Sequence, residues 1–173
     1  MSAGAIANRY ARALFELAEE FGQTAQYAEQ FKQFSQAYLE SKALREIVAS
    51  PVYSKAQKLQ VVQAIAKKLG MSDTAQNGIK QLLVRGRLAQ LSAIASRLGE
   101  LSDDKANILR ASLTTAAEAN SEVVAKIKAG LAAATGKNIE IEARIDASLV
   151  GGAIVEVAGV TVDASVRGRL ENL

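Results

Sequence analysis

Apolar residues recur at helical spacing over roughly the first hundred positions and then begin to alternate. Ile6, Tyr10, Ala13, Leu14, Leu17 and Phe21 make the first helical stripe, and Gly22 is placed to end it. Tyr27, Phe31, Phe34 and Tyr38 repeat at i, i+4, i+7 and i+11 and predict a second helix. Ser41 can cap a short third helix carrying Leu44, Ile47 and Val48, before Ser50-Pro51 breaks the chain. Ser54 and Gln57 have capping-box spacing ahead of Leu59, Val62, Ile65 and Leu69, with Gly70 as the stop. Asp73 and Gln76 offer a weaker box for a fifth helix with Ile79, Leu82 and Leu83, ending near Gly86. A sixth stripe runs from Leu88 through Leu91, Ile94 and Leu98 to Leu101.

The polar run Ser102-Asp103-Asp104-Lys105 marks a boundary, because the period changes after it. Leu109, Ala111, Leu113 and Thr115 alternate with polar residues and predict a half-buried strand. Val123, Ile127 and Leu131 mark a helix ending near Gly136, and Ile139, Ile141, Ala143 and Ile145 a second strand. Gly152 to Val157 and Val160 to Val162 suit a hairpin turning at Ala158-Gly159, with a last short helix carrying Val166 and Leu170. The predicted architecture is an all-α bundle of about six helices over residues 1–102, a linker over 103–107, and a small α+β domain over 108–173.

Composition removes whole classes of chemistry. The chain of 173 residues contains no Cys and no His. Disulfides, thiolate or imidazole metal sites, and Cys or Ser-His-Asp catalysis are therefore excluded. An enzyme would have to work with Asp, Glu, Lys, Ser and Tyr, and no convergent set of these is evident. No cofactor or metal is expected. No apolar run approaches the ~20 residues that span a bilayer. Met1 to Asn8 has no basic or long apolar region, and Glu16, Glu19 and Glu20 soon follow. Neither a secretory signal nor an acid-poor transit peptide is read there, and a bacterial cytosol is expected.

The net charge of +3 is unevenly spread: residues 51–105 hold nine basic and four acidic side chains. A small basic nucleic-acid-binding protein using this zone is the alternative reading. Against it, all eight aromatics lie within the first 53 residues, so stacking partners are almost absent from the basic zone. Arg85-Gly86-Arg87 and Arg167-Gly168-Arg169 can grip phosphate, but a turn after a helix explains the first more simply. Gly130 to Lys137 has five residues between its glycines, one more than a phosphate loop, and Asn138 in place of the hydroxyl, so it reads as a helix end. Asp163 and Ser165 read as helix caps rather than a catalytic pair, and Gly151-Gly152 as the entry to a strand or a bulge rather than a ligand's approach to the backbone.

Ala7-Asn8-Arg9-Tyr10-Ala11-Arg12-Ala13-Leu14 resembles the N-terminal signature of the δ, or oligomycin-sensitivity-conferring, family of F-type ATP synthase subunits. Ser50-Pro51 sits at the family's loop between helices three and four, and Gly86-Arg87-Leu88 at its junction of helices five and six. The most specific match is C-terminal: Ile145-Asp146, Val150-Gly151-Gly152, Val162-Asp163 and Ser165-Val166-Arg167-Gly168-Arg169-Leu170. Gly151, Gly152, Asp163, Ser165, Arg167 and Arg169 are its structural signature residues. Ala164 stands where the family often has Gly.

The resemblance implies a non-catalytic stator subunit, a monomer within its complex. Its helical domain is expected to bind the N-terminal helices of α subunits atop the catalytic head. Its C-terminal domain is expected to bind the peripheral-stalk b subunits, so that the head resists rotor torque during proton-driven ATP synthesis. It implies no nucleic-acid partner, no membrane insertion, and a peripheral place on the cytoplasmic face of the bacterial inner membrane. The family's groove lies between helices one and five, which transfers here to Tyr10, Ala13 and Leu17 on one wall and Ile79 and Leu82 on the other.

Overall fold

The computed structural model describes residues 3–116, 120–146, 149, 152–157 and 160–163. The chain divides into two units, Met1–Ser102 and Asp103–Leu173.

The first unit is helical: α1 Ala3–Glu20, α2 Thr24–Glu40, α3 Lys42–Ala49, α4 Lys55–Lys68, α5 Asp73–Val84, and α6 Leu91–Lys105 after a 3₁₀ turn at Leu88–Gln90. Local chemistry sets most of the ends. Gly22, Gly70 and Gly86 take positive φ, which lets the chain turn out of α1, α4 and α5 with the closing carbonyls satisfied. Ser41 Oγ accepts from the Leu44 N–H at 3.2 Å and starts α3. The Ser54–Gln57 box is complete: the Ser54 N–H donates to Gln57 Oε1 at 2.9 Å and the Gln57 N–H to Ser54 Oγ at 3.3 Å.

Two boundaries depart from expectation. Ser72, not Asp73, caps α5, its Oγ accepting from the Ala75 N–H. Ser72 is held there because its own N–H and Oγ–H both donate to the buried Gln30 Oε1, at 3.2 and 3.0 Å. The polar run expected to open a linker at residue 103 instead continues α6 to Lys105. Polarity alone does not end a helix. Asn107, at φ 54°, turns the chain before the first strand.

The helical core gathers Tyr27, Phe31 and Phe34 from α2, Ile79 and Leu82 from α5, and Leu91, Ile94 and Leu98 from α6. Tyr27 and Phe31 stack with centroids 4.9 Å apart. Helix α1 turns a different side to this core than its bulky stripe suggests. Its buried residues are Ile6, Ala7, Ala11, Leu14 and Ala18. Three small side chains let α1 lie close to its neighbours. The Arg97 Nε–H donates to Asn8 Oδ1 at 3.2 Å and ties α6 to α1.

The second unit contains β1 Ile108–Thr115, α7 Ser121–Thr135, β2 Asn138–Ile145, β3 Ala153–Val157 and β4 Val160–Asp163. The sheet order is β2-β1-β3-β4, with β1 parallel to β2 and antiparallel to β3. The crossover through α7 makes the parallel pair possible. Asn120 caps α7, and Gly136, at φ 67°, closes it. The glycine-lysine run is thus a helix end, as expected. Among the described residues of this unit Ala111, Leu113 and Ile139 are the buried apolar ones, and α7 buries none of its side chains fully. Arg110 stands opposite Glu140 in register and donates to it at 2.6 Å, while its Nε and Nη2 fork onto Asp103 at 2.6 and 2.9 Å. The turn at Ala158-Gly159 and the last helix through Val166 and Leu170 lie outside the described residues.

Candidate partner-binding site

Helix α1 presents an apolar strip beside its core-facing side. Tyr10, Ala13 and Leu17 follow one another at i, i+3 and i+7, and so share a face. That face is turned from the Ala7–Ala11–Ala18 side by roughly a quarter of the helix circumference. Tyr10 and Leu17 are half-buried, and Ala13 between them is exposed. Phe21, one turn beyond Leu17, is exposed as well. The strip is flanked by exposed charges of both signs, Arg9, Arg12, Glu16 and Glu20, and the Arg9 guanidinium lies 5.6 Å from the Tyr10 ring centroid. A small side chain between two larger ones makes a shallow seat for an apolar residue of another helix.

The α5 wall is different. Ile79 and Leu82 are 0% and 1% exposed. They support the bundle from within and offer no surface of their own. Helices α1 and α5 do meet: the position a Cβ would take on Gly78 lies 3.0 Å from Leu14 Cδ2. The sequence stripe missed Ala7, Ala11 and Ala18 as core residues because alanine weighs little in any apolar pattern. Their spacing around Leu14 is the signal that was present.

The C-terminal signature is only partly described. Gly152, at φ 88°, directly precedes β3, which accounts for a glycine there. Asp163 is the last residue of β4 and pairs in register with Ile154. Gly151, Ser165, Arg167 and Arg169 lie outside the described residues. Arg85-Gly86-Arg87 is the turn that ends α5: the Arg87 N–H donates to Leu82 O at 2.7 Å and the Gly86 N–H to Leu83 O at 2.9 Å. Among the described residues no acidic cluster is placed to hold a metal ion, and no helix is long and apolar enough to cross a membrane.

Comparison with known proteins covers almost the entire chain. The family model for the ATP synthase delta (OSCP) subunit matches residues 6–173. ATP synthase subunit delta of Syntrophus aciditrophicus (strain SB) is 36% identical over 168 residues, covering 97% of this chain and 93% of the relative. The subunit of the same name from Myxococcus xanthus (strain DK1622) is 33% identical over 170 residues, covering 97% and 93%. The fold is shared with a chain of the cryo-EM structure of the Toxoplasma gondii mitochondrial ATP synthase hexamer. That match has a TM-score of 0.70 and 22% identity, and covers 96% of this chain and 93% of the other. With a family model spanning the helical bundle and the small sheet in one unbroken match, the chain belongs to the ATP synthase delta (OSCP) subunit family.

Proposed function

We propose that this chain is the stator link of an F-type ATP synthase. The helical unit takes the N-terminal helices of α subunits at the top of the catalytic head. The unit from Asp103 onward takes the ends of the peripheral-stalk b subunits. The protein does no chemistry of its own, acts as one copy per complex, and sits peripherally on the cytoplasmic side of the bacterial inner membrane.

The observation that carries the first half is the α1 strip. Tyr10, Ala13 and Leu17 leave an apolar seat on a helix whose other side already packs the core. Tyr10 and Leu17 are the flanks of the seat and Ala13 its floor, while Ile79 and Leu82 hold α5 in the bundle from behind. For the second half, support comes from α7, whose apolar side chains stay half-buried or exposed, Val123 among them, and from the exposed Ile145 at the end of β2. The lack of Cys and His in the sequence supports a non-catalytic role.

A stator contact has to outlast catalysis. Turnover is typically about 10 per second. With association near 10⁶ M⁻¹s⁻¹, a nanomolar contact dissociates at roughly 10⁻³ per second. Such affinity corresponds to about −12 kcal/mol, within reach of an amphipathic helix laid against apolar surface.

The test is calorimetric titration of the purified chain with a synthetic peptide of the α subunit's N-terminal segment. Saturable one-to-one binding is expected. If the peptide fails, a pull-down with the intact catalytic head decides whether several α subunits are needed together. Failure of both overturns the reading.

A further inference from the structure

The helical unit carries a second apolar groove, built without any residue of α1. It has a volume of about 490 Å³ and lies among the end of α2, helices α3 and α4, the end of α5 and the 3₁₀ turn. Val48, Leu59 and Leu83 form its apolar walls, and Lys55, Lys58 and Arg85 its charged positions. No acidic side chain lines it. Lys58 is held in place: its Nζ donates to Val48 O at 2.7 Å, the last turn of α3, leaving two further ammonium donors. Val84, one of the groove residues, remains 42% exposed, and Val52 and Tyr53 in the loop leading to Lys55 are exposed too.

We propose that this groove docks an acidic amphipathic segment of a partner protein, with its apolar side chains on Leu59 and Leu83 and its carboxylates on Lys55, Lys58 and Arg85. Charge complementarity selects this occupant. A second copy of the chain on a two-fold axis would set these cations against themselves. A nucleic-acid strand needs a run of stacking faces, and Tyr38, the one aromatic lining the groove, is buried, which leaves Tyr53 in the adjoining loop as a single exposed ring. Apolar walls with cations at the edge suit a segment that is itself apolar on one side and acidic on the other. The site is separate from the α1 strip and stands whether or not that strip binds an α subunit.

The experiment is an NMR-detected titration of the full chain with a helical probe peptide carrying Leu at every third or fourth position and Glu elsewhere. The control peptide replaces each Glu by Lys. Amide shifts are expected in residues 48–59 and 83–89 with the Glu peptide and not with the Lys peptide. Lys55→Glu with Arg85→Glu is expected to weaken binding about tenfold or more. Ala89→Arg adds a positive charge but fills the groove, and is expected to weaken binding to a similar degree. Both variants lie on the surface, and unchanged thermal unfolding verifies their folding. Equal binding of the two peptides, shifts centred on Tyr10 and Leu17, or undiminished affinity in the folded variants would overturn the proposal. So would a single-stranded oligonucleotide displacing the Glu peptide at equal concentration, or self-association that Ala89→Arg abolishes.

Discussion

Tyr27 closes over Gly78. A Cβ built on Gly78 would lie 2.6 Å from Tyr27 Oη, and also 2.9 Å from Phe31 Cζ. Both rings are buried and rigid, so neither can swing aside. A glycine inside a helix normally costs up to about 1 kcal/mol against alanine. Here it lets α5 approach α2 closely enough for Tyr27 to donate to Thr74 O at 3.2 Å.

Gly78→Ala is therefore expected to destabilise the helical unit by about 1–2 kcal/mol, overpacking outweighing the propensity gain. Urea unfolding followed by helical circular dichroism measures this. A stabilised variant would mean that the bundle relaxes freely at this contact.

Tyr27 also predicts a pH dependence. Burial pushes its hydroxyl from 10.0 up to about 12. A pKa raised on folding contributes stability that is complete below pH 10 and is lost as pH rises through 12. Tyr27→Phe is expected to cost about 1 kcal/mol at neutral pH by removing the hydrogen bond that ties α2 to Thr74 O. The gap between the two proteins should close and then change sign between pH 10 and 12, since each pKa unit is worth about 1.4 kcal/mol. A gap constant over that range, read from urea midpoints, would remove Tyr27 as the cause.

Ala13→Asp probes the α1 strip. Ala13 is exposed, so folding stability should change by no more than about 0.5 kcal/mol. A carboxylate on the floor of an apolar seat is costly to desolvate under a partner helix, even with Arg9 one turn before it. Affinity for the α-subunit peptide should fall about tenfold or more by calorimetry. Full affinity in the folded variant would exclude Ala13 from the contact.

Ser54→Ala removes the oxygen that starts α4. The cost is expected to be about 1 kcal/mol, with faster amide exchange in the first turn around Gln57. Exchange indistinguishable from the parent chain would show that the box contributes nothing there.

The two units should also differ in protection. The unit from Asp103 onward buries few apolar residues among those described, and α7 buries none fully. Its amides are expected to exchange faster than those of the α2, α5 and α6 core, read by mass spectrometry. Equal protection would count against this.

Much of this molecule was legible without coordinates because its signals are local. Ser41, Ser54, Gly22 and Gly86 act on backbone groups within a few residues, so spacing alone places helix ends. Strand alternation in β1 and β2 is equally short-ranged, and the C-terminal signature identified the family. What tertiary structure decided is which side of each element meets a neighbour. Helical period marks a stripe but not which sector is buried, and the light alanines at 7, 11 and 18 faced the core while Ala13 faced out. Ser72 displaced Asp73 as a cap because Gln30, forty-two residues away, holds it. The burial of Ile79 and Leu82, the β2-β1-β3-β4 order and the Lys55–Arg85 groove all depend on contacts between distant segments. No local pattern encodes those, because their energy exists only once the elements have packed.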